Sequence, residues 1–552
     1  MRVASYKQER AVNEVFDTIV IGSGVGGMTA AVLLARHAGQ RVLVLERHYT
    51  PGGFTHTFRR PGYEWDVGVH YIGRVNNPDS SERAVFDHVS EGHLRWQPMP
   101  DVYDRLLLGD REYEFASEAG RFREHLNERF PSQVRAIDAY FGAVRRVARA
   151  TGAYFASKAL PRPIERLVGG LMRAPFLHQS DRTTGEVLKS IRCSAELAGV
   201  LTGQWGDYGL PPGQSSFAVH AIVAHHYLEG AAYPVGGASS IFASMLPAIE
   251  RAGGRVLVSA EVQEVVLDGR GHAVGVRMAD GRQFRASRVI SDAGAGNTYL
   301  HLLPRGMAER LGVARQLERA PASMSHISLY VGLKHTADEL GLRGANLWIC
   351  PGPDHDANVA RSNGGPERPL PVLFISFPSA KDPTFTSRFP GRATIEVVAP
   401  APYAWFEKWA DTRWKHRGAE YGDLKGRLTE RLKAALEQYV PEVRTKIDYY
   451  ELSTPLSTRH FANYARGEIY GLAPVPARFR LDCLGPRTRI PGLYLTGADV
   501  TLCGVTGALS AGVVTASDIL GRNLMSVMSR RRAHDSKIRR WPVEAVHTDF
   551  GH

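Results

Sequence analysis

A strand–helix–strand pattern over residues 16–46 constrains the fold more than any other feature of this chain. An apolar strand at residues 16–21 runs into the turn Gly22-Ser23-Gly24-Val25-Gly26-Gly27, and an Ala- and Leu-rich helix follows. In dinucleotide-binding βαβ units, the glycines permit the turn, the approach of the backbone to a pyrophosphate, and close packing of helix and strand. The helix N-terminus then offers free N–H groups to the phosphates. We therefore predict that Gly22, Ser23, Gly24, Gly26 and Gly27 bind a dinucleotide cofactor.

The acidic residue after the second strand narrows the choice of cofactor. Glu46 ends the second predicted strand, residues 41–46, about 20 positions beyond the last glycine. Such folds place here a carboxylate that accepts the ribose hydroxyls. A carboxylate there repels a 2′-phosphate, so NADP is disfavoured at this site. We find no second glycine fingerprint between a strand and a helix, which argues against a reductase with a separate NAD(P)H domain.

Composition sets the broad class of protein. The 552 residues can form two or more domains, and 43% hydrophobic with 22% charged residues is typical of a folded globular chain. The four cysteines are widely separated, which argues against a metal site and favours a reducing, cytoplasmic location. No run of about 18 apolar residues is present, so no transmembrane helix is expected.

The net charge of +12 lies partly in a basic C-terminal tail over residues 526–552. Its clustered cations are Arg530, Arg531, Arg532, Lys537, Arg539 and Arg540. Such a cluster can meet nucleic acid or anionic lipid, or it can remain solvated. Because no nucleic-acid-binding module accompanies it, no nucleic-acid partner is expected.

Further glycine and acidic motifs extend the cofactor site. Glu46 is followed by Arg47 and the doublet Gly52-Gly53, and two later motifs are Gly497-Ala498-Asp499 and Gly504-Val505-Thr506-Gly507. With the first turn, these motifs resemble the superfamily of FAD-dependent amine oxidases and phytoene desaturases. The resemblance implies FAD, contacted by the loop that carries Arg47, Gly52 and Gly53. It also implies contacts from Asp499, from the helix N-terminus at Val505 and Thr506, and from the backbone of Val262 to the adenine.

The resemblance also implies how the chain divides into domains. We expect an α/β protein with a Rossmann-like, glutathione-reductase-type FAD-binding domain. This domain is discontinuous and comprises residues 15–78, 230–300 and 485–525. An inserted α+β substrate domain is expected at residues 79–229 and 301–484.

Motifs outside the cofactor segments narrow the resemblance to one branch. They include Tyr208-Gly209-Leu210-Pro211-Pro212-Gly213, Lys381-Asp382-Pro383 and Ser453-Thr454-Pro455-Leu456. They resemble segments of retinol saturases, carotenoid isomerases and bacterial phytoene desaturase-like enzymes. This implies a long polyene or isoprenoid substrate and desaturation, saturation or cis–trans isomerisation at flavin N5. His70 and Tyr71 are candidate proton donors beside the ring, although Tyr71 can instead serve only in packing.

An apolar substrate of this kind resides in a bilayer, and one segment suits contact with it. Residues 159–177 combine apolar side chains with Arg162, Arg166 and Arg173, as interfacial helices do, but a buried helical hairpin is equally compatible. We expect a cytoplasmic protein that can attach peripherally to the inner face of the membrane. A quinone, oxygen or a separate redox protein is expected as the electron partner.

Two alternatives remain open at this stage. An amine oxidase would share the flavin fold, and Cys503 near the second flavin motif could then carry a covalent flavin. A prenyl-lipid carrier of the Rab escort or GDP-dissociation-inhibitor type would share the fold without using FAD. The intact glycines, Glu46 and Asp499 argue against such a carrier.

Overall fold

An eight-stranded sheet joins strands from both ends and the middle of the chain. The computed structural model describes residues 3–8 and 15–528. The strand order is Ala4–Ser5, Arg255–Val258, Val42–Leu45, Val15–Ile21, Gln283–Ser291, Ala273–Met278 and Val262–Leu267. Leu493–Leu495 also pairs with Gln283–Ser291, in parallel. The central strands are parallel and apolar because helices cover the sheet, as in Rossmann-like folds.

Three helices with small residues at their contacts pack beside this sheet. Val25–Ala38 packs against both Ser239–Arg251 and Val505–Leu520. A Cβ on Gly512 would lie 2.6 Å from the backbone O of Gly26, so only glycine allows the helices to approach this closely. The late helix is thereby fixed over the first glycine turn.

A seven-stranded sheet forms the centre of the second part of the molecule. Its order is Ile447–Ser453, His326–Lys334, Arg392–Pro400, Leu373–Ser376, Asn346–Cys350, Val102–Leu108 and Arg111–Ala116. All neighbours are antiparallel except Asn346–Cys350 and Val102–Leu108. The helix Ala419–Tyr439 buries four leucines at helical spacing in the core on one face of this sheet, namely Leu424, Leu428, Leu432 and Leu436.

A helical layer completes the second part. In this layer the helices Val134–Ser157, Arg162–Ser180 and Phe217–Tyr227 pack against one another. The other helices of the chain are Ser81–Val89, Ala119–Arg129, Thr184–Ser190, Ala195–Leu201, Met307–Arg310, Ala314–Leu317, His355–Ser362, Pro378–Lys381, Phe385–Arg388 and Pro455–Ala462, with a π-helix at Asn297–Leu302. Thr57–Arg60 pairs with Tyr63–Asp66, and Ala231–Pro234 lies between Ile72–Gly73 and Trp96–Pro98. No helix within the described residues is long and apolar enough to cross a membrane.

The expected fold class is confirmed, and two details differ. Each of the three predicted flavin segments contributes strands to the first sheet, while the exact domain boundaries stay a prediction. Ala4–Ser5 adds an edge strand that the sequence did not indicate. The first helix begins at Val25, within the predicted glycine turn rather than after it, and Gly26 and Gly27 lie inside the helix, where they permit close packing. Most of the predicted basic tail lies outside the described residues.

Candidate functional site

Two glycine turns from opposite ends of the chain meet where the first helix begins. The helix Val25–Ala38 follows Gly24, and a Cβ on Gly26 would lie 2.7 Å from the backbone N of Gly497. A Cβ on Gly24 would lie 2.5 Å from Oδ2 of Asp292. Real Cβ atoms essentially never come this close to other atoms. At Gly26 the neighbour is backbone, so this position requires glycine and the late turn is held directly against the first. At Gly24 an added Cβ would displace the carboxyl group of Asp292.

Glu46 ties the first turn to the loop that follows the second strand. Its Oε2 accepts hydrogen bonds from the backbone N–H of Ser23 at 2.9 Å and from the Ser23 hydroxyl at 2.7 Å. Its Oε1 accepts from the N–H of His48 at 2.7 Å, and the N–H of Gly52 donates to the Ser23 hydroxyl at 2.9 Å. This network fixes the carboxylate that the sequence assigns to the adenosine ribose.

The glycine doublet and Arg47 lie beside that network. Gly53 has φ +56°, and a Cβ there would lie 3.1 Å from Cα of Gly24, so the doublet packs directly on the first turn. Arg47 forms an ion pair with Glu261 at 3.0 Å and donates to the backbone O of His460 at 2.7 Å. Its guanidinium is therefore oriented by the protein at the rim of the site.

The late motif presents a buried carboxylate and a helix N-terminus. Asp499 is 5% exposed and accepts the N–H groups of Ala295 at 2.8 Å and Leu472 at 2.9 Å. Gly504, with φ +83°, precedes the helix Val505–Leu520, whose first N–H groups have no intrahelical acceptor. A helix N-terminus at this point favours negative charge on a bound group.

A cavity of about 1280 Å³ joins these segments. Ten of the predicted cofactor residues line it: Gly22, Ser23, Gly24, Glu46, Arg47, Gly52, Gly53, Val262, Asp499 and Val505. Gly26, Gly27 and Thr506 do not line it; the two glycines lie behind the wall, where they allow close packing. The individual contacts of these residues with a cofactor stay predictions.

The same cavity continues along an apolar wall of the second part of the molecule. His70 lies against Phe374 with ring centroids 4.9 Å apart, and Phe374 lies 4.5 Å from the ring of Trp348. Other apolar lining residues here are Met324, Val372, Val398 and Ile469. A long apolar molecule can therefore lie with one part at the glycine turns and the rest along aromatic and aliphatic side chains.

Two buried carboxyl groups and a lysine surround His70 and were not predicted from the sequence. Nδ1 of His70 lies 3.0 Å from Oε2 of Glu396. Burial raises the pKa of Glu396 to about 8 and that of Asp66 to about 7, and it lowers the pKa of Lys381 to about 8. Burial, with the nearby Lys381 cation, also lowers the pKa of His70 to about 3. At neutral pH the imidazole is uncharged and Glu396 is predominantly protonated.

The other candidate proton donor is oriented differently. Tyr71 does not line the cavity, and its hydroxyl lies 2.8 Å from Oδ2 of Asp104 and 3.2 Å from Oδ2 of Asp207, to either of which it can donate. Burial raises its pKa well above the usual tyrosine range. This geometry supports the packing role that the sequence left open, while proton donation by Tyr71 stays a prediction that no observation tests.

The remaining acidic residue at the turns is Asp292, which follows the strand Gln283–Ser291. It lies under Gly24 and Gly27, and burial raises its pKa to about 7, with Glu46 and Asp499 adding to the effect. A carboxyl that is only partly ionised at neutral pH repels the phosphates of a bound dinucleotide less than a full negative charge would. The sequence carried a signal for it, an acid directly after a buried strand and before Gly294.

Cys503 is the residue that could carry a covalent flavin in the amine oxidase alternative. Cys503 does not line the cavity, and burial raises the pKa of its thiol to about 11. Among the described residues, no group of three or more His, Cys, Asp or Glu side chains is arranged to hold a metal ion.

The residues present fit FAD. The glycine turns leave room only for backbone, the helix N-termini at Val25 and Val505 favour phosphate or an anionic ring edge, and Glu46 can accept from a ribose. The cavity exceeds the roughly 300–1,000 Å³ of common small-molecule sites, so a dinucleotide and a second molecule can share it.

Comparisons with known proteins agree with this geometry. The family model for flavin containing amine oxidoreductase matches residues 25–520. All-trans-retinol 13,14-reductase of Danio rerio is 37% identical over 531 residues, covering 93% of this chain and 87% of that protein. Chloroplastic prolycopene isomerase of Arabidopsis thaliana is 26% identical over 503 residues, which cover 87% of this chain and 78% of that protein. A putrescine oxidase structure is 16% identical, with TM-score 0.58 over 92% of this chain and 100% of that one, which shows the fold alone.

The fold and the site together define an FAD-dependent oxidoreductase. The chain belongs to the flavin-containing amine oxidoreductase family, and FAD is its cofactor. The predicted superfamily is confirmed, as is the branch that contains retinol reductases and carotenoid isomerases. The chain is thus an enzyme, which sets aside the prenyl-lipid carrier alternative.

Proposed function

We propose that the protein reduces one carbon–carbon double bond of a long polyene isoprenoid, with a retinoid-like chain as substrate. The observation that carries this proposal is one continuous cavity in which the glycine turns meet an apolar wall. Identity of 37% to a retinol 13,14-reductase over most of the chain supports reduction, since the prolycopene isomerase is only 26% identical.

The protein's own groups have distinct parts in such a reaction. When bound, reduced FAD supplies a hydride. Phe374 and Trp348 hold the apolar chain in a fixed orientation, and the apolar wall excludes water from the reacting carbons. His70, neutral and exposed to the cavity, can hold the proton that the second carbon requires.

We also propose how substrate and electrons arrive. The helix Arg162–Ser180 exposes Leu167 by 84% and Leu171 by 79% on one face, with the exposed Arg166 beside them. Such a face suits the surface of an anionic bilayer, so we propose peripheral attachment to the cytoplasmic face of a membrane. A quinone, oxygen or a redox protein remains the proposed electron partner.

Product analysis under anaerobic conditions tests the proposed reaction. The FAD-loaded protein is photoreduced and mixed separately with a retinoid alcohol, an acyclic carotene and an unsaturated fatty acid. We expect oxidation of the flavin together with a product two hydrogens heavier from a retinoid-like polyene. A product of unchanged mass and altered double-bond geometry would instead assign isomerisation, and no product from any of the three would overturn the proposal.

A further inference from the structure

A buried acid, Glu396, lies next to the cavity-lining His70. Glu396 lies on the strand Arg392–Pro400, where its side chain is 1% exposed and shares a sheet face with the cavity-lining Val398. One carboxylate oxygen, Oε1, accepts the N–H of Asp66 at 2.8 Å. The other oxygen, Oε2, lies 3.0 Å from Nδ1 of His70.

The orientation of the imidazole separates its two nitrogens. Nδ1 of His70 is buried, while the side chain as a whole is 20% exposed and lines the cavity. The part of the ring that faces the cavity is therefore the edge away from Glu396, which carries Nε2. Nδ1 and Oε2 lie at hydrogen-bond distance but are not aligned for a bond, so a small rotation of the carboxyl group must precede transfer.

The charged and titratable groups around this pair set where its proton resides. Lys381 donates to the backbone O of His70 at 2.9 Å, and to the side-chain oxygens of Asn346 at 2.5 Å and Ser376 at 2.7 Å. All three of these bonds go to uncharged groups. The positive charge of Lys381 lowers the pKa of His70 further, and it opposes the larger rise that burial causes in the pKa of Glu396. Other titratable neighbours of the pair are Asp66, His326, Tyr233 and Tyr330. Burial lowers the pKa of His326 to about 4 and raises the pKa values of both tyrosines.

We propose that Glu396 supplies the proton for the reduction through His70. The inference rests on the proposed function. One alkene carbon gains the hydride that reduced FAD provides, and the neighbouring carbon gains the proton from Nε2 of His70. The proton of Glu396 passes to Nδ1 in the same step, so the imidazole ends neutral and Glu396 ends as a carboxylate near Lys381. The alkene gains two electrons and two hydrogens, and FAD is oxidised by two electrons.

In this arrangement His70 is the catalytic residue and Glu396 is the positioning and proton-supplying residue. A neutral imidazole can relay a proton without ever becoming a stable cation, which suits a site that disfavours charge. The cavity can then remain dry, because the proton arrives through the protein rather than from water.

Kinetics of single variants provide the first test. Glu396→Gln removes the transferable proton and keeps size and shape, and Asp356→Asn is the control, a half-buried carboxyl that accepts the N–H of Gly213 outside the cavity. We expect Glu396→Gln to slow single-turnover reduction by about 10²-fold, in the range of general acid catalysis. FAD binding, followed by flavin absorbance, should match that of the wild type, and Glu396→Asp should give an intermediate rate.

Nitrogen NMR of the histidine side chains provides a second test that needs no turnover. In the oxidised, FAD-loaded protein, we expect the Nε2–H tautomer of His70 at pH 7, because a small rotation of the protonated carboxyl group lets Glu396 donate to Nδ1, which lies 3.0 Å away. Ionisation of Glu396 between pH 7 and 9 should shift the tautomer toward Nδ1–H, and this shift should be absent in Glu396→Gln. The His70→Gln spectrum identifies the signal among the 21 histidines.

The two tests separate this inference from the proposed function. A wild-type rate and pH profile in Glu396→Gln would overturn the relay while leaving the reductase intact. An Nδ1–H tautomer already present at pH 7 would overturn it as well. If the protein reduces no polyene but the tautomer shift is observed, the proposed reaction fails and the proton-sharing pair stands.

Discussion

Ser23 and Glu46 are joined by two hydrogen bonds to the same carboxylate oxygen, one from the Ser23 backbone N–H and one from its hydroxyl. Both side chains are buried, and the hydroxyl also accepts the N–H of Gly52. A single serine thus connects the first glycine turn, the ribose carboxylate and the glycine doublet, which are the three N-terminal parts of the flavin site.

Ser23→Ala should weaken FAD binding without blocking it. Loss of the hydroxyl leaves the N–H of Gly52 without its acceptor and removes one of the bonds that orient Glu46. Because such losses cost about 1–3 kcal/mol, we expect the Kd for FAD to rise about 5- to 100-fold. Fluorescence quenching of FAD on titration measures the change. Ser387→Ala, at an exposed helical serine, serves as the control and should bind FAD normally.

Gly24→Ala should sharply reduce FAD retention. The added Cβ would meet Oδ2 of Asp292 at 2.5 Å, so either this buried carboxyl group or the turn must shift where the backbone approaches a pyrophosphate. Gly426→Ala is the matched control, since its Cβ meets nothing within 4 Å inside a helix. Flavin content after purification distinguishes the two. Full flavin occupancy in Gly24→Ala would contradict the assigned turn.

Thermal stability should depend on pH through Glu396. Burial raises its pKa from 4.5 to about 8 on folding, so its contribution to stability is complete below about pH 4.5 and is lost as pH rises toward 8. Each unit of pKa difference corresponds to about 1.4 kcal/mol. The Tm of the wild type should therefore fall more steeply between pH 5 and 8.5 than that of Glu396→Gln. Lys381, Asp66 and His70 face the carboxyl group in both proteins, and parallel curves would refute its raised pKa.

Membrane attachment should depend on the exposed leucines of one helix. We expect the wild type to float with vesicles that contain anionic lipid, and the double variant Leu167→Gln, Leu171→Gln to remain in the soluble fraction. Tyr450→Ser removes an exposed apolar side chain elsewhere and should not change flotation. Equal flotation of the wild type and the double variant would exclude this helix as the contact.

The flavin part of the molecule could be predicted from the sequence because each of its motifs consists of residues that lie close together in the chain. The turn needs glycine at Gly22 and Gly24, and ribose binding needs an acid at Glu46. Few other residue types can take these roles, so the residue types alone indicate the site. Glu396 was missed because a lone acid within an apolar strand gives no sign of its partner, and His70 is 326 positions away in the chain. The choice between His70 and Tyr71 depended on which way adjacent side chains point, and tertiary packing alone decides that.

Hydrogen–deuterium exchange of the apoprotein, with and without FAD, tests most directly whether distant segments surround one flavin. We expect one equivalent of FAD to protect amides in three regions together, at residues 22–27, 46–53 and 497–507. Protection confined to the first two regions, with the third exchanging as in the apoprotein, would contradict it.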